Sequence, residues 1–244
     1  MMEYRRCLDS QKAEDILLKA ERYSNFKRPQ TKKAKVNGTE TVIYKFCKYV
    51  DCPDGQRPNA SPLIDSSGNL FGFNDAGVFE LSRDAKKSDW DFSLLHTFTY
   101  NDGFGPQSSP IFDAAGDIYG TNRLGGTNGG SGTIFKLVPN GTSSQYTVLY
   151  AFCGCGDGME PGGGVVIDST GNLFGTTTVD NQGANGEIYE FNQTLQILHE
   201  FAFDGSDGRD PRGDLALDSA GNLFGTTSQG GSGQSGTIFE LVHQ

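Results

Sequence analysis

The sequence predicts an all-β, β-propeller-like fold of four repeats with four antiparallel strands each, preceded by a short helical and basic N-terminal extension. Three observations support this prediction. An eight-residue motif recurs four times, β-rich runs flank every copy, and glycine supplies 34 of the 244 residues. Four-stranded units of about 50 residues, repeated radially, are typical of propeller blades. The repeats would form either a four-bladed ring or an open arc.

Residues 1–37 differ in composition from the rest of the chain and are predicted to form a helix followed by a linker. Residues 1–36 contain ten basic and five acidic residues, a net charge of +5, whereas the whole chain carries −10. Ser10 is a suitable N-cap for a helix that runs to about Tyr23. The early basic residues are not followed by the apolar segment of a secretory signal peptide. This extension is interpreted as a basic docking arm or as a frayed terminus.

The repeat motif reads Asp-x-x-Gly-(Asn/Asp)-(Leu/Ile)-aromatic-Gly. Its copies begin at Asp65, Asp113, Asp168 and Asp218, with spacings of 48, 55 and 50 residues. An aspartate side chain accepts hydrogen bonds from the backbone that follows it, and glycine adopts a positive φ readily, so the motif predicts a hairpin turn. The four aspartates are therefore assigned as structural turn caps, because a catalytic acid would be expected once rather than in every repeat.

Flanking strands complete each unit of the repeat domain, which spans residues 38–244. An Asp-Gly-x-x-Pro turn precedes each motif, and a glycine-rich loop and a last strand follow it. The first strand of each unit is a β-rich run before the turn: Val42–Phe46, Leu94–Phe98, Val148–Phe152 and Ile197–Phe201. The predicted units are about 42–81, 94–137, 147–191 and 195–241. With the strands grouped into units in this way, no strand from one end of the domain is available to pair with the sheet at the other end.

The last copy, Gly221–Leu241, shows most clearly what the repeat resembles. The pattern Asp-x-x-Gly-Asn-Leu-aromatic-Gly-Thr-Thr, then a glycine-rich loop, then Gly-Thr-Ile-Phe-Glu-Leu resembles the GloVer tandem repeat of bacterial surface and secreted proteins. The resemblance covers roughly residues 42–241. It implies an exported, propeller-like repeat protein, and it transfers no catalytic residues to this chain.

Four of the five cysteines form two local pairs at equivalent positions of units one and three. Cys47 and Cys52 follow the first strand of unit one, and Cys153 and Cys155 occupy the equivalent loop of unit three. The pairs predict two loop disulfides, which form in an oxidising compartment. Free thiols and a four-thiolate zinc site are the alternatives, although Cys-x-Cys matches zinc-site spacing poorly. Cysteine pairing and the family resemblance together indicate an extracellular or cell-surface location.

One repeat position holds polar aromatic or imidazole side chains in all four units: Tyr44, His96, Tyr150 and His199. Strand alternation places this position on the same face as Val42 in unit one, so aromatic packing explains the exchange of tyrosine and histidine. If the first strands line the central channel, the four side chains would instead form a polar ring that binds a ligand or an ion.

The segment from Asp204 through Asp207 to Asp210 alternates carboxylates in the manner of a calcium-binding loop. It lacks the glutamate of the twelfth position, and the other units do not share its acidic residues. Calcium is therefore a possible cofactor at this loop, and the main expectation is that the protein binds no cofactor.

Composition and motifs exclude several functions and leave three hypotheses. The negative net charge argues against a nucleic-acid partner, and no apolar stretch is long enough to span a bilayer. No nucleophile elbow, phosphate-binding loop or zinc-protease helix is present. The main hypothesis is a non-catalytic extracellular module that binds a glycan or a protein through its loops. The alternatives are a polysaccharide lyase or hydrolase with a site at the central channel, and a fragment of a longer repeat protein. The oligomeric state, monomer or dimer, stays open.

Overall fold

The structure is a computed structural model that describes residues 39–48, 50–83, 89–140, 143–179, 185–202 and 207–242. The chain divides into two units, Met1–Thr41 and Val42–Gln244. The predicted N-terminal helix and its linker, residues 1–37, lie outside the described residues. Every regular element in the described part of the chain is a β-strand, which confirms the all-β prediction. Those residues contain no helix with the length and apolar character needed to cross a membrane.

Sheet I shows the arrangement that recurs along the chain. Its four antiparallel strands pair in sequence order: β1 (Leu63–Ile64), β2 (Leu70–Phe73), β3 (Gly77–Arg83) and β4 (Trp90–Thr97). The repeat motif forms the turn between the first two strands, where the Asp65 N–H donates to the carbonyl oxygen of Asn69 at 3.0 Å. Each repeat motif therefore builds the tight hairpin at the start of a sheet.

Sheets II and III repeat this order. Sheet II contains β5 (Ile111–Phe112), β6 (Ile118–Asn122), β7 (Thr133–Val138) and β8 (Gln145–Ala151). Sheet III contains β9 (Met159–Pro161), β10 (Val166–Ile167), β11 (Leu173–Val179), β12 (Glu187–Asn192) and β13 (Thr194–Glu200). In sheet III, β10 to β13 pair in sequence order, and β9 adds a short pairing to β11.

Sheet IV has three strands in the described part of the chain. The last elements are β14 (Gly208–Arg209), β15 (Ala216–Leu217), β16 (Leu223–Thr227), β17 (Gln229–Gly230) and β18 (Thr237–Leu241). Sheet IV has the order β15-β16-β18, while β14 and β17 pair as a separate ribbon. No fourth strand pairs with β18 among the described residues, and the series of sheets is not closed into the predicted four-bladed ring.

The sheets begin one strand later than the predicted units. Val42–Phe46, predicted as the first strand of unit one, contains no strand, and its counterparts in the later units form the fourth strands of the preceding sheets. Hairpin length is the physical reason. Six residues separate β3 from β4 and a single residue separates β12 from β13, so each run pairs with the strand immediately before it.

A glycine and an aromatic residue face each other between the second and third strands of every sheet. The cross-strand pairs are Gly72 with Phe79, Gly120 with Phe135, Gly175 with Tyr189, and Gly225 with Phe239. A Cβ atom built on Gly120 would lie only 2.7 Å from the ring of Phe135. The glycine that closes each repeat motif therefore leaves room for the aromatic ring that lies over it.

Neighbouring sheets pack face to face and share their apolar cores, as in a propeller. Phe73 of sheet I lies 5.3 Å from Phe135 of sheet II, measured between ring centroids. Phe152, directly after sheet II, lies 5.4 Å from Tyr189 of sheet III. Three buried clusters result, one at each of the three junctions between consecutive sheets. The fold is thus a propeller-like series of sheets in which stability depends on contacts between neighbours.

Candidate functional site

The repeat-motif aspartates bond to their own turns. The Oδ1 atom of Asp65 accepts the backbone N–H groups of Ser67 at 2.9 Å and Asn69 at 2.8 Å. The same two acceptor contacts recur at Asp113, Asp168 and Asp218. These bonds satisfy donors that the tight turn leaves without a strand partner, which is the arrangement expected of a turn cap.

The turn bonds also affect the ionisation of these carboxyl groups. At Asp168, burial alone would raise the pKa, but donors from Asn172, Thr170 and Gly171 hold the pKa below its ordinary value. A carboxyl group whose pKa is lower in the folded chain stabilises the fold above its unfolded pKa, and this stabilisation is lost as the pH falls through the folded value.

We therefore expect Asp168→Asn to lower the free energy of unfolding by about 1 kcal/mol at pH 7, as loss of a side-chain cap does. The difference from the wild type should begin to shrink as the pH falls below about 4, the ordinary pKa of aspartate, and should shrink further as the pH approaches the lower pKa of the folded chain. Urea unfolding at pH 7, 5 and 3 measures this difference. Asp51→Asn, at an exposed residue, is the control. A difference that stays constant with pH would contradict the role of the ionised carboxylate.

The predicted ring residues each bond to an aspartate of the turn that follows them. Tyr44 Oη donates to Asp54 Oδ2 at 2.8 Å, and Tyr150 Oη donates to Asp157 Oδ2 at 2.8 Å. The histidines make the equivalent contacts: His96 Nε2 with Asp102 Oδ2 at 3.1 Å, and His199 Nε2 with Asp207 Oδ2 at 2.9 Å. The structure thus places each of the four side chains in a pair with an aspartate of the following turn.

These aspartates begin the Asp-Gly-x-x-Pro turns, and only Asp207 among them was predicted to have a role of its own, as a calcium ligand. Asp157 also accepts the backbone N–H of Cys153 at 2.9 Å, and Asp54 accepts the N–H of Cys47 at 3.0 Å. Burial, followed by the bond to Asp157, raises the pKa of Tyr150 to about 12, so its hydroxyl stays a donor at neutral pH. The signal was available in the sequence, because both partners recur in every unit.

Both predicted disulfides are present. Cys47 is bonded to Cys52, and Cys153 is bonded to Cys155. The sulfur atoms of Cys153 and Cys155 lie close to the carboxylate of Asp157, but they are bonded to each other and are not thiolates. The alternatives of free thiols and a four-thiolate zinc site are therefore wrong for these positions.

Two of the three proposed calcium ligands contact protein groups, and Asp204 lies outside the described residues. Asp207 bonds to His199, whereas Asp210 accepts hydrogen bonds from Arg212 Nε at 2.8 Å and Ser228 Oγ at 2.7 Å. The described part of this loop thus places the two carboxylates on different partners.

A polar cleft lies at the junctions of the consecutive sheets II, III and IV. It has a volume of about 140 Å³. Its lining residues come from the turns before the first strands and from the ends of the second strands: Gln107, Arg123, Gly162, Thr178 and Arg212. The sequence reasoning did not identify this cleft, because its residues belong to three different repeats.

Two arginine–carboxylate pairs supply the charge of the cleft. Arg123 donates from Nη2 to Glu160 Oε2 at 2.6 Å, and Arg212 donates to Asp210. Burial would raise the pKa of Asp210, but hydrogen bonds from Arg212 and Ser228 and the positive charge of Arg123 hold it low. The two pairs are therefore electrostatically coupled, and the cleft presents donors and acceptors side by side.

The charged residues of the cleft depart from the repeat. Arg123 stands where the other repeats have Asp75, Thr178 and Ser228, and Arg212 stands where they have Asn59, Gln107 and Gly162. Alignment of the repeats with one another would have revealed these departures. Repeated residues serve the turns that all units share, so residues that break the repeat are the better candidates for a function performed once.

Comparisons with solved structures give distant matches. Virginiamycin B lyase from Staphylococcus aureus is 14% identical, with a TM-score of 0.46 over 78% of this chain and 57% of that one. PorZ, a surface component of the type-IX secretion system of Porphyromonas gingivalis, is 16% identical, with a TM-score of 0.45 over 74% and 25%. A Carbohydrate-Active Enzymes Family AA12 protein from Trichoderma reesei is 13% identical, with a TM-score of 0.44 over 69% and 45%.

This chain spans less than two thirds of each of those structures. No curated protein sequence matches it. The sequence model of the Gloeobacter/Verrucomicrobia repeat matches residues 74–244, well over half of the chain, and confirms the resemblance seen in the repeat motif. The chain therefore belongs to the Gloeobacter/Verrucomicrobia repeat family.

Proposed function

We propose that this protein is a non-catalytic extracellular module that binds a glycan, and that the cleft lined by Arg123 and Arg212 holds a sugar residue. The observation that supports this proposal is the contrast between repeated and unrepeated polar groups. The repeated aspartates, tyrosines and histidines bond within their own turns, whereas the charged groups that break the repeat line one cleft.

The chemistry of the cleft suits a ligand rich in hydroxyl groups. A guanidinium group offers only donors and a carboxylate only acceptors, so each arginine–carboxylate pair can bond both sides of a sugar hydroxyl. Gln107 and Thr178 add neutral polar groups to the lining. Because charge-assisted hydrogen bonds are the stronger ones, the two arginines would contribute most of the affinity.

The two disulfides support the extracellular part of the proposal. Disulfides form and persist in oxidising environments such as the bacterial periplasm and the cell surface. Cys47–Cys52 and Cys153–Cys155 both hold loops that follow an outer β-rich run and precede an Asp-Gly-x-x-Pro turn. An oxidising location would keep these loops in the conformation that the structure shows.

A glycan array followed by isothermal titration with the best oligosaccharide tests this proposal. We expect Arg123→Gln/Arg212→Gln to weaken binding by roughly 100-fold, since each hydrogen bond to a charged group contributes about 1.5–3 kcal/mol. Its melting temperature should stay close to that of the wild type, because both arginine side chains lie at the surface, where an ion pair contributes about 0–1 kcal/mol, and Ser228 Oγ still donates to the buried carboxylate of Asp210. Arg57→Gln/Arg83→Gln removes the same charge from exposed residues outside the cleft and should bind normally.

Two results would count against the proposal. Equal affinity of the cleft variant and its charge-matched control would show that the cleft does not hold the sugar. Release of new reducing ends or of unsaturated sugars by the wild type, on a glycan that it binds, would show that the protein is an enzyme.

A further inference from the structure

Sheet IV differs from the other sheets in the exposure of its third strand. The residue at the second position of that strand is Val78, Ile134 or Ile188 in sheets I to III, and these side chains are 0%, 0% and 1% exposed. Its counterpart in β18, Ile238, is 85% exposed. A fourth strand covers this position in sheets I to III, and none covers it among the described residues of sheet IV.

Val42–Phe46 has the sequence of a fourth strand and has no sheet. Its counterparts in the other repeats form or end the fourth strands β4, β8 and β13. Val42 is 62% exposed and Ile43 is 40% exposed, so its apolar groups are also uncovered. In the part of the chain that the structure describes, one segment with the sequence of a fourth strand and one place for a fourth strand thus remain, and both are apolar.

The segment already lies on sheet I as the fourth strand of a preceding sheet would. Phe46 packs on Phe79 with ring centroids 5.1 Å apart, and Phe98 packs on Phe135 of the next sheet at 5.7 Å in the same way. The Cys47–Cys52 disulfide closes the loop that follows the segment. Another sheet IV that packed on sheet I from the side of this segment would place the edge of β18 beside the edge of the segment.

We infer that a second copy of this chain supplies that sheet, so that β18 of one copy pairs with Val42–Phe46 of the other. Within a single chain, Ile238 and Val42 are both left exposed, so the series of four sheets does not join its own ends. Two copies joined head to tail at both ends form the smallest closed assembly, which leaves no unpaired edge at these positions.

The other sheets define the register of this pairing. Ile134 pairs with Tyr150, and Phe135 pairs with Val148, with a bulge between the two pairs. The equivalent partners in the proposed pairing are Ile238 with Tyr44, and Phe239 with Val42. After each fourth strand, a phenylalanine N–H donates to the residue before the third strand: Phe98 to Ala76, Phe152 to Gly132, and Phe201 to Gly186. Phe46 of one copy would donate to Gly236 of the other.

Light scattering on the full chain at micromolar concentration tests the inference. We expect the wild type to have twice the mass of one chain. Ile238→Asp should weaken association by roughly tenfold or more, because it buries a carboxylate without a partner in an apolar seam. Ile64→Asp changes a side chain of similar exposure, 63%, in β1 and should leave the mass unchanged.

A cysteine cross-link distinguishes a second copy from closure within one chain. Lys45 and Thr237 are opposite each other in the proposed register, so Lys45→Cys/Thr237→Cys in a Cys7→Ser background should give a covalent dimer on oxidation. Lys45→Cys/Ile64→Cys is the control and should remain monomeric on a non-reducing gel.

Three results would overturn the inference. One is a wild type with the mass of a single chain. Another is an engineered disulfide that closes within one chain, or none at all. The third is an assembly whose mass Ile238→Asp leaves unchanged.

Discussion

Phe135→Ala should lower the free energy of unfolding by about 3–5 kcal/mol, the usual cost of truncating a buried phenylalanine. Phe135 is 0% exposed and joins two sheets. Its ring lies 5.3 Å from Phe73 of sheet I and 5.0 Å from Tyr146 of its own sheet. Its loss would leave a cavity at the junction of the sheets, which these aromatic neighbours can fill only in part. Urea unfolding at neutral pH measures the change.

Phe104→Ala provides the matched control for this experiment, because the Phe104 side chain is 39% exposed and lies outside the three buried clusters. It should cost about 1 kcal/mol or less, as partly exposed substitutions do. If both variants lose the same stability, packing between neighbouring sheets is not what stabilises the fold.

Gly186→Ala should cost about 2–5 kcal/mol, because it combines backbone strain with overpacking. Gly186 has a φ of +86°, which side chains with a Cβ rarely adopt. A Cβ atom there would clash with the carbonyl oxygen of Thr177 and would lie 2.7 Å from Cδ of Pro211. Both neighbours are held rigidly, one in a strand and one in the turn that leads to sheet IV. Thermal melting followed by circular dichroism measures the effect.

Gly171→Ala separates the two contributions to this loss. Gly171 has a similar φ of +95°, but a Cβ atom there would have no neighbour within 4 Å. It should therefore show only the backbone strain, about 1–2 kcal/mol. Equal effects at Gly171 and Gly186 would show that the close approach of the Pro211 turn contributes nothing.

Much of the fold could be predicted from the sequence because the repeat motif itself dictates a turn. An aspartate followed three residues later by glycine specifies the hairpin at Asp65 and at its three counterparts, and the flanking runs are evident strands. The strand at which each sheet begins was not predicted correctly, because a periodic pattern has no marked beginning. The structure shows the correct grouping most clearly at β12 and β13, where a single residue connects the strands, since so short a connection forces the flanking strands to pair.

The candidate site was harder to predict for a different reason. The cleft forms from Arg123, Arg212 and their carboxylate partners, which lie up to 89 positions apart in the chain. Only the packing of consecutive sheets brings these residues together. The polar residues that do recur include Tyr150 and His199, whose partners in the structure are the aspartates of the turns that follow them.

We propose that repeated polar residues hold the fold, whereas the charged residues that break the repeat bind the ligand. Glycan titration and thermal melting of Tyr150→Phe/His199→Gln, beside the cleft variant Arg123→Gln/Arg212→Gln, test it most directly. The first variant loses two hydrogen bonds, so we expect a melting temperature lower by roughly 4–8 °C with wild-type affinity at 25 °C. The second should lose binding at an unchanged melting temperature. The reverse result, with affinity lost in Tyr150→Phe/His199→Gln and kept in the cleft variant, would contradict the account.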